Sequence, residues 1–129
     1  MKNKQKKAPL ISSFGYAFQG IANTIKTERN IKIHLFATVM VVIFGFILRL
    51  SYMEWLVCLL LFGLITSLEL VNTSIEAVVD LATEERKPLA KKAKDAAAGA
   101  VLYSAIIAAI IGGIIFFPKL YNLILTILN

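Results

Sequence analysis

Three long apolar runs, at residues 31–50, 53–71 and 96–117, constrain the fold of this 129-residue chain more than any other feature. A hydrocarbon core of roughly 30 Å takes about 20 apolar residues in a helix, so each run has the length to cross a bilayer. Helices are expected, because a spanning segment must satisfy its own backbone hydrogen bonds. With 58% hydrophobic residues and a mean hydropathy of +0.75, the chain is too apolar for a soluble domain and too short for several domains. The expectation is one all-α integral membrane domain.

Basic residues set the expected orientation. Lys2, Lys4, Lys6, Lys7, Lys26, Arg29 and Lys32 cluster around the start of the first run, and Arg86, Lys87, Lys91, Lys92 and Lys94 lie between the second and third. The other side carries only Arg49 and Lys119. The positive-inside rule puts the N-terminus and the long connection in the cytoplasm and the C-terminus outside the cell membrane. The net charge of +6 then reads as topology and attraction to anionic lipid, with no nucleic-acid partner, since lipid-buried helices separate the charges.

Before the first run, Ile11, Phe14, Phe18, Ile21 and Ile25 recur at helical spacing opposite Ser12, Gln19, Asn23 and Lys26. That pattern predicts an amphipathic helix at about residues 10–27 lying on the inner surface. The same polar residues break up any apolar core of a cleavable signal peptide. Tyr52 and Trp55 suit an aromatic anchor at the outer interface, and the single Cys58 is a packing residue with no disulfide partner in the chain.

The polar groups at the inner ends of the runs carry the functional information. An acid kept inside a span is a functional hypothesis by default, and Glu69 follows a nearly unbroken apolar stretch from Trp55. No Pro or Gly interrupts residues 64–87, so the second helix is expected from about Tyr52 to Ala82, roughly 45 Å, with a third of it above the membrane. On it Glu69, Asn72, Glu76 and Asp80 share one face. Pro88 suits the first turn of the third helix, which is expected to end near Pro118, and Lys91, Lys94 and Asp95 form a similar face near its start. Lys94 and Asp95 then come level with Asn72, Lys91 with Glu76, and Glu28 to about the same height. Lys87, Lys92, Glu84 and Glu85 read on their own as ordinary interfacial charges. His34, at the mouth of the first span, has no partner at metal-ligand spacing and reads as an interfacial hydrogen bonder.

This set can run phosphoryl transfer, which needs a divalent metal on the phosphates, a cation on the transferred group and a carboxylate for the acceptor's proton. Glu28 and Glu76 are hard oxygen donors suited to Mg²⁺. Lys94 can reach a γ-phosphate as a point charge, and Glu69 is placed to take a proton from a lipid hydroxyl. No Walker loop, G-x-G-x-x-G loop or soluble-kinase catalytic loop is present. A proton-coupled transporter would keep its acid near the midplane and line a path to both sides, whereas these acids gather at one face. A noncatalytic assembly factor would use the small residues at 96–100 and 112–113 for packing, and gives no reason for carboxylates matched in depth.

The motif Glu69-Leu-Val-Asn72-Thr-Ser-Ile-Glu76-Ala-Val-Val-Asp80, followed by Ala93-Lys94-Asp95-Ala-Ala-Ala-Gly-Ala-Val, resembles the signature of the prokaryotic diacylglycerol kinase family, and the likeness runs from Gly15-Tyr16 to about Ile115. The resemblance implies a three-span lipid kinase working as a homotrimer, with Mg-ATP at the cytoplasmic interface and active sites shared between subunits. It implies that Glu69 is the general base and that Glu28 and Glu76 bind the metal. Asn72, Lys94 and Asp95 would surround the nucleotide phosphates, Tyr16 would contact the nucleotide from the surface helix, and Glu85, Arg86 and Lys87 would lie near the adenosine. The chain departs from Gram-negative members at Pro9, where they carry an Arg. The run Glu28-Arg-Asn-Ile-Lys-Ile-His34 resembles the Gram-positive branch, whose members are similar to undecaprenol kinases. The expected acceptor is therefore undecaprenol, with diacylglycerol the runner-up, and selectivity is expected from a groove beside the first span and the surface helix.

Overall fold

The computed structural model describes residues 9–128, and these form four helices: α1 (Leu10–Thr27), α2 (Arg29–Ile47), α3 (Tyr52–Ala82) and α4 (Pro88–Leu128). Lys2, Lys4, Lys6 and Lys7, part of the basis for the expected orientation, lie outside the described residues. Helices α2, α3 and α4 are long and apolar enough to cross a membrane. Their burial is inverted relative to a soluble protein. Leu59, Leu60, Ile110 and Ile114 are exposed, whereas Thr24, Glu69, Asn72 and Ser104 are buried beside Ile31, Ile65, Ala97 and Val101. Lipid is the solvent for the outer surface, and the polar groups turn inward.

Helices α3 and α4 form the most extensive contact, where small residues Ala97, Val101 and Ser104 let the backbones approach. Ion pairs join this hairpin at both ends. Lys119 Nζ lies 3.1 Å from Glu54 at the end near the α2–α3 turn, and Lys94 pairs with Asp80 at the other. Helix α2 packs on α3, and α1 lies against both near the buried Thr24.

The connections follow from local chemistry. Between α1 and α2 a single residue, Glu28, is extended (φ −86°, ψ 127°) and turns the chain. Helix α2 stops at Ile47, short of residue 50. Arg49 takes a left-handed conformation (φ 53°), and the Leu50 and Arg49 amides donate to the Gly45 and Phe46 carbonyls, a Schellman stop. Ser51 then caps α3 in a reciprocal box with Glu54.

Helix α4 does not end near Pro118. It runs on to Leu128, 41 residues or about 60 Å, with the proline inside it. Proline removes one amide from the ladder. The helix absorbs that single loss and continues past Lys119, whose ammonium pairs with Glu54.

Candidate active site

Glu69 is the most deeply buried carboxylate described, at 2% exposure, and its Oε1 has no hydrogen-bond partner. It lies on α3 one turn before Asn72, which is also buried. Asn72 Nδ2 donates to Glu76 Oε1 at 3.1 Å, which leaves Asn72 Oδ1 buried and without a partner. Glu69, Asn72 and Glu76 therefore form a continuous polar strip, as their shared helical face requires. Glu28 reaches it from the α1–α2 corner, since both Glu28 and Glu76 lie within electrostatic reach of Glu69. At that corner Thr27 Oγ1 donates to Glu28 Oε1 at 3.4 Å, and Lys32 Nζ donates to the Lys26 carbonyl at 2.7 Å.

The basic residues sit farther out. Lys94 pairs with Asp80, two helical turns beyond Asn72, and Lys91 pairs with Asp95 on its own helix. The structure thus joins Glu69, Asn72 and Glu76 in one strip, with Glu28 at the neighbouring corner within electrostatic range, and draws Lys94 and Asp95 into a second cluster. That second cluster borders an open cleft of about 960 Å³ under the α3–α4 loop, lined also by Glu85, Arg86 and Lys87. Within the loop Lys87 Nζ lies 3.5 Å from Glu85. Tyr16, on α1, is exposed.

His34, expected as an interfacial hydrogen bonder, stands beside Glu69. Its Nε2 lies 3.3 Å from Glu69 Oε1, without the alignment of a hydrogen bond. The spacing permits this contact once the register of α2 on α3 is given. His34 is six residues after Glu28, and Glu69 is seven before Glu76. In an antiparallel α2–α3 pair that already matches Glu28 with Glu76, His34 and Glu69 must come level. A largely apolar groove of about 370 Å³ opens beside them, and His34, Thr38, Phe62, Ile65 and Ala105 are among its walls. It lies between α2, α3 and α4 rather than beside α1.

The donor set fits Mg²⁺. The carboxylates of Glu28 and Glu76 and the unpartnered Asn72 Oδ1 are hard oxygen donors, the chemistry that Mg²⁺ takes together with phosphate and water.

Comparison with known proteins shows the family. The family model for prokaryotic diacylglycerol kinase matches residues 15–116. An undecaprenol kinase of Bacillus subtilis (strain 168) is 54% identical over 108 residues, 84% of this chain and 88% of that protein. A diacylglycerol kinase of Synechocystis sp. is 44% identical over 124 residues, 95% of this chain and 71% of that protein. One from Haemophilus influenzae is 32% identical over 109 residues, covering 84% and 92%. With the buried carboxylate strip at the mouth of three spanning helices, these matches mean that the chain belongs to the prokaryotic diacylglycerol kinase family and is a lipid kinase.

Proposed function

We propose that this membrane kinase transfers the γ-phosphate of ATP to undecaprenol, giving undecaprenyl phosphate. The observation that carries the reading is Glu69, a buried carboxylate with an unpartnered oxygen, in line with Asn72 and Glu76 and beside an apolar groove. The groove offers a hydrocarbon chain a seat that leads to the carboxylate. The acceptor assignment is supported by the 54% identity to an undecaprenol kinase, and diacylglycerol is the alternative.

In this reading Glu69 accepts the proton of the lipid hydroxyl as that oxygen bonds to the γ-phosphorus. The bond to the bridging oxygen breaks, and its electron pair leaves with ADP. Glu28, Glu76 and Asn72 Oδ1 would hold Mg²⁺, which would supply charge neutralisation to the transferred phosphoryl group. Lys94 turns from Asp80 to the γ-phosphate, Asp95 and Asn72 orient the polyphosphate, and Glu85, Arg86, Lys87 and Tyr16 contact the nucleoside end. Helix α1 lies on the cytoplasmic surface of the cell membrane, with Ile11, Phe14 and Phe18, all exposed in the chain, dipping into lipid. The N-terminus is inside, the C-terminus outside, and three copies assemble with shared active sites, as the family resemblance implies.

The test is transfer of labelled γ-phosphate from Mg-ATP to undecaprenol and to diacylglycerol, in parallel, by purified protein in mixed micelles. Undecaprenol is expected to be preferred, and Glu69→Gln to abolish turnover without changing oligomer size. Preference for diacylglycerol would overturn the acceptor assignment, and appreciable turnover by Glu69→Gln would remove Glu69 as the base.

A further inference from the structure

Glu69 poses a problem that the catalytic reading does not solve. A general base must present one oxygen in a fixed direction, and the carboxylate's Oε1 is sealed from solvent with no hydrogen bond to hold it. The basic residues nearby are engaged elsewhere. Lys94 is with Asp80, Lys91 with Asp95, and Lys32 with the Lys26 carbonyl. The acidic neighbours Glu28 and Glu76 can only repel it. Among the described residues, the one side chain paired with Glu69 is His34, whose Nε2 stands 3.3 Å from Oε1.

The backbone that carries His34 is fixed. His34 sits on α2 within the first two turns, three residues after the fully buried Ile31, and Thr38 Oγ1 donates to its carbonyl at 2.8 Å. Its ring also walls the apolar groove, so it stands at the boundary between the base and the seat offered to the acceptor chain. We propose that His34 is the positioning residue for Glu69: its Nε2–H closes onto Oε1 and leaves Oε2 to take the acceptor's proton. What is needed is an N–H donor at that point, whatever the charge of the ring. The inference rests on the reading of Glu69 as the base, and deepens it by explaining how a buried carboxylate on a spanning helix keeps one orientation.

The experiment measures kcat and KM for Mg-ATP and for undecaprenol with His34→Leu, His34→Met and His34→Gln, beside Glu69→Gln, in mixed micelles with oligomer size checked by chromatography. Leucine and methionine keep apolar bulk without a donor, and the glutamine amide N–H reaches about where Nε2 stands. The two apolar variants are expected to lose about a hundredfold in kcat, the scale of a roughly 1 Å misplacement of a reacting group, with both KM values little changed. His34→Gln should recover most of that loss. His34→Gln as slow as the apolar variants would overturn the proposal by making bulk or shape the cause. Full activity of the apolar variants with a dead Glu69→Gln would overturn it alone and leave the base standing. An active Glu69→Gln would remove the base, and the proposal with it.

Discussion

Replacing Gly45 by alanine tests how the first two spanning helices are locked together. Gly45 is buried two residues before the end of α2, and the Trp55 indole lies across it. A Cβ at this position would stand 2.6 Å from Trp55 Cη2 and 2.9 Å from Cζ2. Ordinary carbon contacts lie at about 3.5–4 Å, so the ring would have to withdraw by about 1 Å. Phe46 packs on the same ring, centroids 5.0 Å apart, so withdrawal disturbs a second contact. Overpacking of this kind costs about 1–3 kcal/mol. Alanine in place of glycine inside a helix returns about 1 kcal/mol. The net expectation for Gly45→Ala is a loss of about 1 kcal/mol, or roughly 3–6 °C in Tm for a chain of this size. Trp55 is the single tryptophan, so its fluorescence during thermal unfolding of the purified protein in detergent reports on the affected site. A second measurement isolates the cause. In a Trp55→Leu background, followed by circular dichroism, Gly45→Ala should become stabilising by up to about 1 kcal/mol. A Gly45→Ala protein that melts at or above the parent, or a loss that persists without the indole, would refute the steric argument.

Glu76→Gln should raise the Mg²⁺ concentration for half-maximal activity by about tenfold or more, read from a metal titration at saturating nucleotide. An unchanged titration would count against a ligand role for Glu76. Ser51→Ala should cost about 1 kcal/mol by removing the oxygen that accepts from Glu54 N, seen as a drop of a few degrees in Tm. Because Ser51 sits at the far end of α3 from Glu69, its KM values should not move, and an altered KM would mean that the cap acts on the site.

What could be read from the sequence and what could not divide along physical lines. The span of α3, Tyr52–Ala82, is as the uninterrupted helical pattern predicted, and α4 starts at Pro88 because a first-turn proline needs no amide partner. The end of α4 was not legible at Pro118, since a proline removes one amide from the ladder without having to end the helix. Nor was the stop at Ile47, which depends on Arg49 taking a left-handed conformation that nothing in its side chain favours. The strip of Glu69, Asn72 and Glu76 was visible because it lies on one helix, where spacing alone sets the face. The contact of His34 with Glu69 and the pairing of Lys94 with Asp80 each depend on the register between two helices. A register follows from side chains packed along the whole interface, and a local pattern does not contain it.

That division also separates the fixed part of the site from its movable part. Lys94 and Asp80 are 37% and 66% exposed, and Lys91 and Asp95 more so than Lys94, at 77% and 61%. Exposed pairs of this kind contribute about 0–1 kcal/mol, so exchanging an aspartate for a phosphate costs these lysines little. Thermal motion alone makes such an exchange frequent. Glu69 is the opposite case. Burial at 2% exposure denies its carboxylate the water that would compete for it, and among the described residues no lysine or arginine pairs with it. A kinase acting on a lipid needs both properties. Its phosphate ligands must yield to an incoming nucleotide from water, and its base must meet an alcohol arriving from the bilayer. Helix α3 holds Asp80 about 16 Å farther along its axis than Glu69, at 1.5 Å per residue, and the lysines stand on α4 beside it. On the proposed mechanism, that separation lets the outer lysines rearrange around ATP while the buried carboxylate keeps its place.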